Sequence, residues 1–378
     1  MSLYAKLSEL RETGKNFAYF CSFTNEERTM GEEKLFTGEK IVIAENTKIL
    51  SSLEQPTPVI LSFSLVDSIF SVTSLRKDFP PILMLLPQTL ERDVFVREVP
   101  IRSISSIPPH RDQELEESVK EARELIRSGE MLQMVISREF GPFAMDPVEQ
   151  VIKYLFEDRS MYVFYYRFGD LEVLGSSPEN VVTRIGKRIM IEPIAGTRPV
   201  SGNMEKDREL EKELENDPKE LLEHRMLVDL ARNDLGKICN YGSVKVIQSM
   251  KVRHFSSVMH IVSRVEGELR DGIGNDFIVS SVFPAGTVSG APKERAIRNI
   301  IKMEKTSRGP YAGSLGIIGK NEMDLALTIR TIYGNNGEFF TRAGAGIVKD
   351  SVPEKEVYEI VIKAFNSMGG AMNEVIDH

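Results

Sequence analysis

Between residues 161 and 193 the chain reads as four strand-like runs, broken at Gly169-Asp170 and Gly186-Lys187. Strands joined by two-residue turns pair antiparallel, because a parallel partner needs a crossover of a dozen residues or more. Long strands at about 243–253 and 257–268, and further strands from about 311 to 349, extend the pattern. Helical stretches come in blocks, as in the two acidic helices near 204–216 and 218–233. Strands and helices in runs, without strict alternation, predict an α+β fold.

The remaining punctuation fits that class. Residues 1–107 hold short apolar runs such as IVIA (41–44) and PVILSFSLV (58–66), and composition shifts at Ile107-Pro108-Pro109-His110. The shift divides the chain into regions 1–110 and 111–378. Asp112 caps a helix with Leu115, Val119, Ala122, Leu125 and Ile126 on one face, stopped by Gly129. Residues 131–140 read as a strand with Gln133, Val135 and Ser137 on one face. Asp146-Pro147 opens another helix, and a last amphipathic helix begins near Pro353.

Charge and cysteine usage exclude several functions. With 48 Lys+Arg against 56 Asp+Glu and a formal charge of −8, the chain has no long basic block for nucleic acid. No run approaches 18 apolar residues, and MSLYAKLSELRETGK lacks the apolar core of a secretory signal. Cys21 and Cys239 stand far apart outside any CxxC pattern, which suits a reducing cytoplasm. Membrane spanning, a disulfide framework and structural zinc are therefore not expected.

Several residues could carry chemistry. Glu220 and Glu223 share a helical face, as do Glu356 and Glu359, and paired carboxylates suit Mg²⁺. Simpler readings compete: Asp217-Pro218 with Glu220 is a helix cap, and Glu359 with Lys363 is a surface ion pair. Gly344 and Gly346 weaken the strand RAGAGIV unless a ligand or another backbone comes close, or the strand bulges there. PIAGTRP (193–199) raises the same question, with Thr197 and Arg198 as donors. GTVSGAPK (286–293) lacks phosphate-loop spacing and is rejected as a nucleotide site. His260, in SVMHIVSRV, reads first as a core histidine.

Taken together, PIAGTRP, KELLEHRMLVDLARNDLG, FPAGTVSGAPK, GPYAGSLG, ALTIRT, RAGAGIV and SVPEKEVYE, in this order, closely resemble the chorismate-utilising enzymes. Among these they are most similar to the large subunit, component I, of anthranilate synthase. The similarity runs from about residue 112 to the end. It implies two antiparallel sheets packed face to face with helices outside. It also implies a cleft for chorismate, and a Mg²⁺ cofactor held by Glu220, Glu223, Glu356 and Glu359. By the same resemblance, backbone N–H groups of Gly344, Ala345 and Gly346 bind a substrate carboxylate. Arg330, Tyr311 and Lys363 hold substrate anions, and Gly196 and Thr197 line the cleft. Glu179 matches the general acid, and His260 the histidine tied to pyruvate elimination, which reverses its core reading.

Two positions distinguish branches of the family. Relatives that add water place a lysine where this chain has Gln133, and the para-aminobenzoate branch places one where it has Ala195. Both imply ammonia addition and anthranilate as product, the first step of tryptophan biosynthesis. The alternatives are an aminodeoxychorismate synthase component I and a non-catalytic anion-binding homologue. No segment resembles a glutamine amidotransferase, so that partner is expected as a separate subunit. The N-terminal region, regulatory in type, is expected to be shortened. LLES is not recognisable in FAYFCSFTNEER (17–28), and DRSMYV (158–163) stands where relatives read NPSPYM.

Overall fold

In the computed structural model, residues 2–23, 32–74, 79–92, 112–158, 160–254 and 258–368 are described. The expected boundary at 110/111 lies outside them. Among these residues the chain forms a nine-stranded and a ten-stranded sheet, with every strand pairing antiparallel. The nine-stranded sheet runs in the order Gly290–Ala291, Gln133–Phe143, Glu338–Ile347, Thr331–Asn335, Leu171–Ser177, Tyr162–Phe168, Asn16–Ser22, Glu32–Gly38, Thr89–Glu91. The other runs Ile194–Pro199, Val258–Glu268, Arg188–Ile191, Asn180–Ile185, Glu322–Leu327, Ser314–Ile318, Thr57–Leu61, Ile82–Leu86, Lys40–Ala44. Lys245–His254 adds to it against Val258–Glu268.

Period-two alternation assigns the two faces of each strand. Along Asn16–Ser22, Ala18 and Phe20 point between the sheets. There they meet Phe36, Tyr162, Phe164 and Tyr166 of their own sheet and Ile60, Leu85, Leu315 and Ala326 of the other. Phe17, Tyr19 and Cys21 point outward, against Leu3, Leu7 and Leu10 of helix Leu3–Glu12 and against Val148, Val151 and Ile152. The largest core lies where helices Gln113–Arg127, Asn275–Val282, Lys293–Met303 and Pro353–Ser367 pack on the sheets.

The expected train of hairpins is split between the sheets. Tyr162–Phe168 and Leu171–Ser177 form one hairpin in the nine-stranded sheet, and Asn180–Ile185 with Arg188–Ile191 forms the next in the other. The chain changes sheet at Pro178-Glu179, and changes back between Leu327 and Thr331. The two crossovers are stapled by backbone bonds: Leu327 N–H donates to Glu179 O (3.0 Å), and Ser176 N–H to Arg330 O (3.2 Å). Arg330 takes a positive φ of 47° there.

Candidate functional site

The first crossover sets Glu179 between the sheets, only 9% exposed. Its backbone N–H donates to Ser177 Oγ (3.3 Å), and its carboxylate Oε1 accepts from Thr287 Oγ1 (2.6 Å). Burial pushes the carboxyl pKa up to about 7, against the pull of the Thr287 bond. It therefore still carries its proton part of the time near neutral pH, where an ordinary glutamate is ionised. Beside it a cavity of about 40 Å³, room for a water or two, lies between Leu230, Ala231 and Asp234 of helix Pro218–Gly236 and Thr287.

Thr287 is absent from the residues singled out in the sequence. Its loop figures there as a rejected phosphate site and as one of the motifs of the family resemblance, with no role for the hydroxyl. The available signal was a hydroxyl flanked by glycines between two apolar segments. The loop is anchored by Gly290–Ala291, which pairs with Met134 and Gln133.

Strand Ile194–Pro199 and helix Pro218–Gly236 build a second wall. Gly196 has φ +64°, and a Cβ there would meet Leu214 Cδ1 at 2.7 Å and Glu220 Oε2 at 3.2 Å, so a side chain is excluded on both counts. The Gly196 carbonyl lies 2.7 Å from His260 Nδ1, and Thr197 Oγ1 lies 3.1 Å from the same nitrogen. A carbonyl only accepts, so Nδ1 carries the hydrogen and Nε2 is the basic nitrogen of the neutral ring. Ala195, beside this contact, is buried and pairs with Ile261.

The glycine strand forms the third wall. Gly344, Ala345 and Gly346 pair with Ser137, Ile136 and Val135. A Cβ on Gly346 would lie 2.4 Å from Gln133 Nε2, and one on Gly344 2.5 Å from the Tyr311 hydroxyl. An amide and a phenol thus lie directly over bare backbone, with no room for a side chain. Lys363 Nζ donates to Gly344 O (3.3 Å). Burial pushes the Tyr311 hydroxyl up to about 12, so it is a hydrogen-bond donor. Behind this wall Glu304 accepts from Ser137 N–H and Oγ and from Nε and Nη2 along one edge of the Arg308 guanidinium. Burial opposes the Glu304 charge, yet the Arg308 guanidinium beside it holds its pKa below the usual range.

The four glutamates stand as two pairs on two helices. Asp217 caps Pro218–Gly236, accepting from Lys219 and Glu220 N–H, as the helix-cap reading required. Burial first, then Glu223 and Asp217, raise the Glu220 pKa. Burial raises Glu356 as well, with Glu359 adding to it and a Ser351 hydrogen bond and Lys219 opposing it. Lys219, whose charge acts on Glu356, belongs to the first helix. Glu359 Oε1 meets Lys363 Nζ at 2.6 Å. Among the described residues no three His, Cys, Asp or Glu side chains gather closely enough to enclose an ion. The donor set still fits a hard cation: carboxylates only, two of them half-buried and repelled by like-charged neighbours.

Of the residues singled out, Glu179 therefore stands at the crossover. Gly196, Thr197, His260 and Glu220 form one group, and Gln133, Tyr311, Gly344, Gly346 and Lys363 another. Arg330 sits on the second crossover. No helix among the described residues is long and apolar enough to cross a membrane, and Cys21 and Cys239 are buried free thiols.

A model of the chorismate binding enzyme family matches residues 95–369. Anthranilate synthase component 1 of Aquifex aeolicus is 47% identical over 256 residues, covering 67% of this chain and 51% of that protein. The Lactococcus lactis protein of the same name is 45% identical, covering 67% of this chain and 56% of its own length. The chain thus spans about half the length of the curated relatives it matches. The crystal structure of anthranilate synthase component I from Streptococcus pneumoniae superimposes with a TM-score of 0.76 at 28% identity, covering 93% of this chain and 92% of that one. A Bacillus anthracis structure described as a putative 2,3-dihydroxybenzoate-specific isochorismate synthase, 23% identical with a TM-score of 0.77 over 97% and 98% of the two chains, has the same fold. By its sheets and by the match over residues 95–369, this chain belongs to the chorismate binding enzyme family.

Proposed function

We propose that the chain is the aminating component of an anthranilate synthase, converting chorismate and ammonia to anthranilate and pyruvate. One observation carries the reading: a carboxyl, Glu179, buried at the crossover and held by the Thr287 hydroxyl, with burial pushing its pKa up to about 7, into the range where it can donate a proton. Loss of a ring hydroxyl needs such a donor. Glu179 gives its proton to the departing hydroxyl oxygen as ammonia attacks the ring carbon ortho to the carboxylate, the two ring double bonds shifting to carry the electron pair to the leaving group. His260, its Nδ1–H held by the Gly196 carbonyl, then takes the ring proton at Nε2 while pyruvate leaves and the ring becomes aromatic. The amide of Gln133 is not basic enough to activate water, and Ala195 offers no nucleophile. Both favour ammonia as the attacking group. Backbone N–H groups of residues 344–346, with Tyr311, Arg330 and Lys363, orient the substrate anions.

Glu220, Glu223, Glu356 and Glu359 would hold Mg²⁺. When bound, it supplies Lewis acidity and charge neutralisation at the ring carboxylate. A separate glutamine amidotransferase subunit would supply ammonia, in the cytoplasm, at the entry to tryptophan biosynthesis.

The test is incubation of the pure chain with chorismate, Mg²⁺ and ammonium. Anthranilate with equimolar pyruvate supports the proposal. Isochorismate, salicylate or a para-aminated product as the main species overturns it, and unconsumed chorismate points to the non-catalytic homologue.

A further inference from the structure

Four buried or half-buried polar side chains, among them Asn180, next to Glu179 in the chain, meet in a space otherwise filled by aromatic rings. Tyr162, on the nine-stranded sheet, donates its hydroxyl to Asp324 Oδ1 (2.7 Å), on the ten-stranded sheet. Asn180, the residue after Glu179, donates from Nδ2 to that same hydroxyl (2.7 Å) and to Thr183 Oγ1 (3.0 Å). Thr183 in turn donates to Asp324 Oδ1 (3.3 Å). The bonds close a ring that joins both sheets. Tyr162 is 2% exposed and Asn180 3%.

Two facts link this ring to the acid. The pairing of Asn180–Ile185 with Glu322–Leu327 shifts register between Asn180 and Val182, so Glu179 stands at the start of an irregular, bulged strand end. Such irregularities re-aim the adjacent side chain, and the direction holds only if the extra residue is fixed. In addition, Tyr162 pairs across the sheet with Ser177, whose Oγ accepts from Glu179 N–H. Both flanks of Glu179 therefore rest on Tyr162. A carboxyl and a phenol among Phe20, Phe164 and Tyr166 would be a costly way to gain stability alone, because apolar groups of similar volume fill such a space at least as well.

We propose that Tyr162, Asn180, Thr183 and Asp324 are positioning residues for Glu179: their ring of hydrogen bonds fixes the bulge that aims the acid at the departing hydroxyl. The inference rests on the assignment of Glu179 as the acid, and concerns only the first chemical step. Tyr162→Phe removes the hydroxyl that bridges Asn180 to Asp324 across the sheets, leaving only their links through Thr183, while keeping the ring stack. Amination of chorismate by this variant should fall at least about tenfold in kcat with KM little changed, since small misplacements of a reacting group cost that much. Pyruvate elimination from the purified aminated intermediate, which depends on His260, should stay at the parent rate. Asp324→Asn keeps an oxygen for Tyr162 to donate to and should retain amination.

Equal loss of both steps in Tyr162→Phe overturns the proposal, because a merely structural residue would act on both. So does unchanged amination, or an Asp324→Asn variant as impaired as Tyr162→Phe. Should Tyr162→Phe not fold, Thr183→Val breaks the same ring at a half-buried member and is read by the same two rates. Glu179→Gln separates this inference from the one beneath it. If that variant still consumes chorismate, the acid assignment fails. If it does not, and Tyr162→Phe is normal, only the positioning role fails.

Discussion

Thr287 and Glu179, 108 residues apart, are joined by a 2.6 Å hydrogen bond that ties a glycine-rich loop to the crossover between the sheets. That bond pulls the Glu179 pKa down while burial pushes it up, to about 7. A carboxyl raised in this way holds its proton below that pH and loses it above, so an acid-requiring step proceeds at low pH and fades as pH rises through about 7. With the concentration of free ammonia held constant, kcat for anthranilate formation should show that alkaline fall. Thr287→Val removes the lowering influence and should move the fall to higher pH. A shift to lower pH would contradict the assignment.

Glu223→Gln and Glu359→Gln remove one charge from each carboxylate pair at constant size. Loss of a metal-shell group of this kind costs about 10–100-fold in affinity or activity. Calorimetric titration of Mg²⁺ and turnover against Mg²⁺ should both show it, with circular dichroism unchanged. Unaltered Mg²⁺ dependence would leave Asp217 as a plain helix cap and Glu359–Lys363 as a plain surface pair.

His260→Met keeps bulk but has no basic nitrogen. Chorismate should still be consumed while pyruvate release lags, so an aminated intermediate builds up and is seen by chromatography. Normal anthranilate output would return His260 to a packing role among Ile261 and Met259.

Gly346→Ala and Gly196→Ala should part company. At Gly346 the new methyl meets only the movable amide end of Gln133. The fold should therefore survive, with KM for chorismate raised about tenfold, as for a lost contact of about 1.4 kcal/mol. At Gly196 the methyl meets Leu214 at 2.7 Å with φ at +64°, and Tm should fall as well. Thermal melts beside steady-state kinetics distinguish the two.

Tryptophan should inhibit weakly. Ser160 and Tyr162 are the residues kept from the NPSPYM pattern, and the Tyr162 hydroxyl is already engaged by Asp324 and Asn180 while its ring lies 5.5 Å from Phe20. An amino acid entering there would have to displace those bonds, at about 1–3 kcal/mol for each group left unpaired. Half-inhibition of the ammonia-dependent reaction at low micromolar tryptophan would refute this.

Local signals in the chain are read with little error. Asp112 caps its helix by accepting from Leu115 N–H, the strand expected at 180–185 is Asn180–Ile185, and the helix expected at 204–216 is Met204–Asn216. Each depends on neighbours a few residues away. The sheet to which a hairpin belongs depends on partners a hundred residues off, so the crossovers at Pro178-Glu179 and Arg330 left no mark in periodicity. Thr287 and Asp324 were invisible for the same reason. A hydroxyl in a loop and a carboxylate on a strand acquire meaning only from what the fold lays beside them.

The placement of Asn16–Ser22 between Tyr162–Phe168 and Glu32–Gly38, and of Thr57–Leu61 beside Ser314–Ile318, has a bearing on how such a chain can be shortened. A fragment trimmed to the residues that resemble the relatives most would keep Glu179, His260 and the glutamates, yet bare the long sides of two strands, one lined with Tyr162, Phe164 and Tyr166. Uncapped flanks of that kind recruit other chains. The opening ninety residues are thus masonry for the catalytic walls: divergence can rewrite their letters, but the strands they contribute stay indispensable.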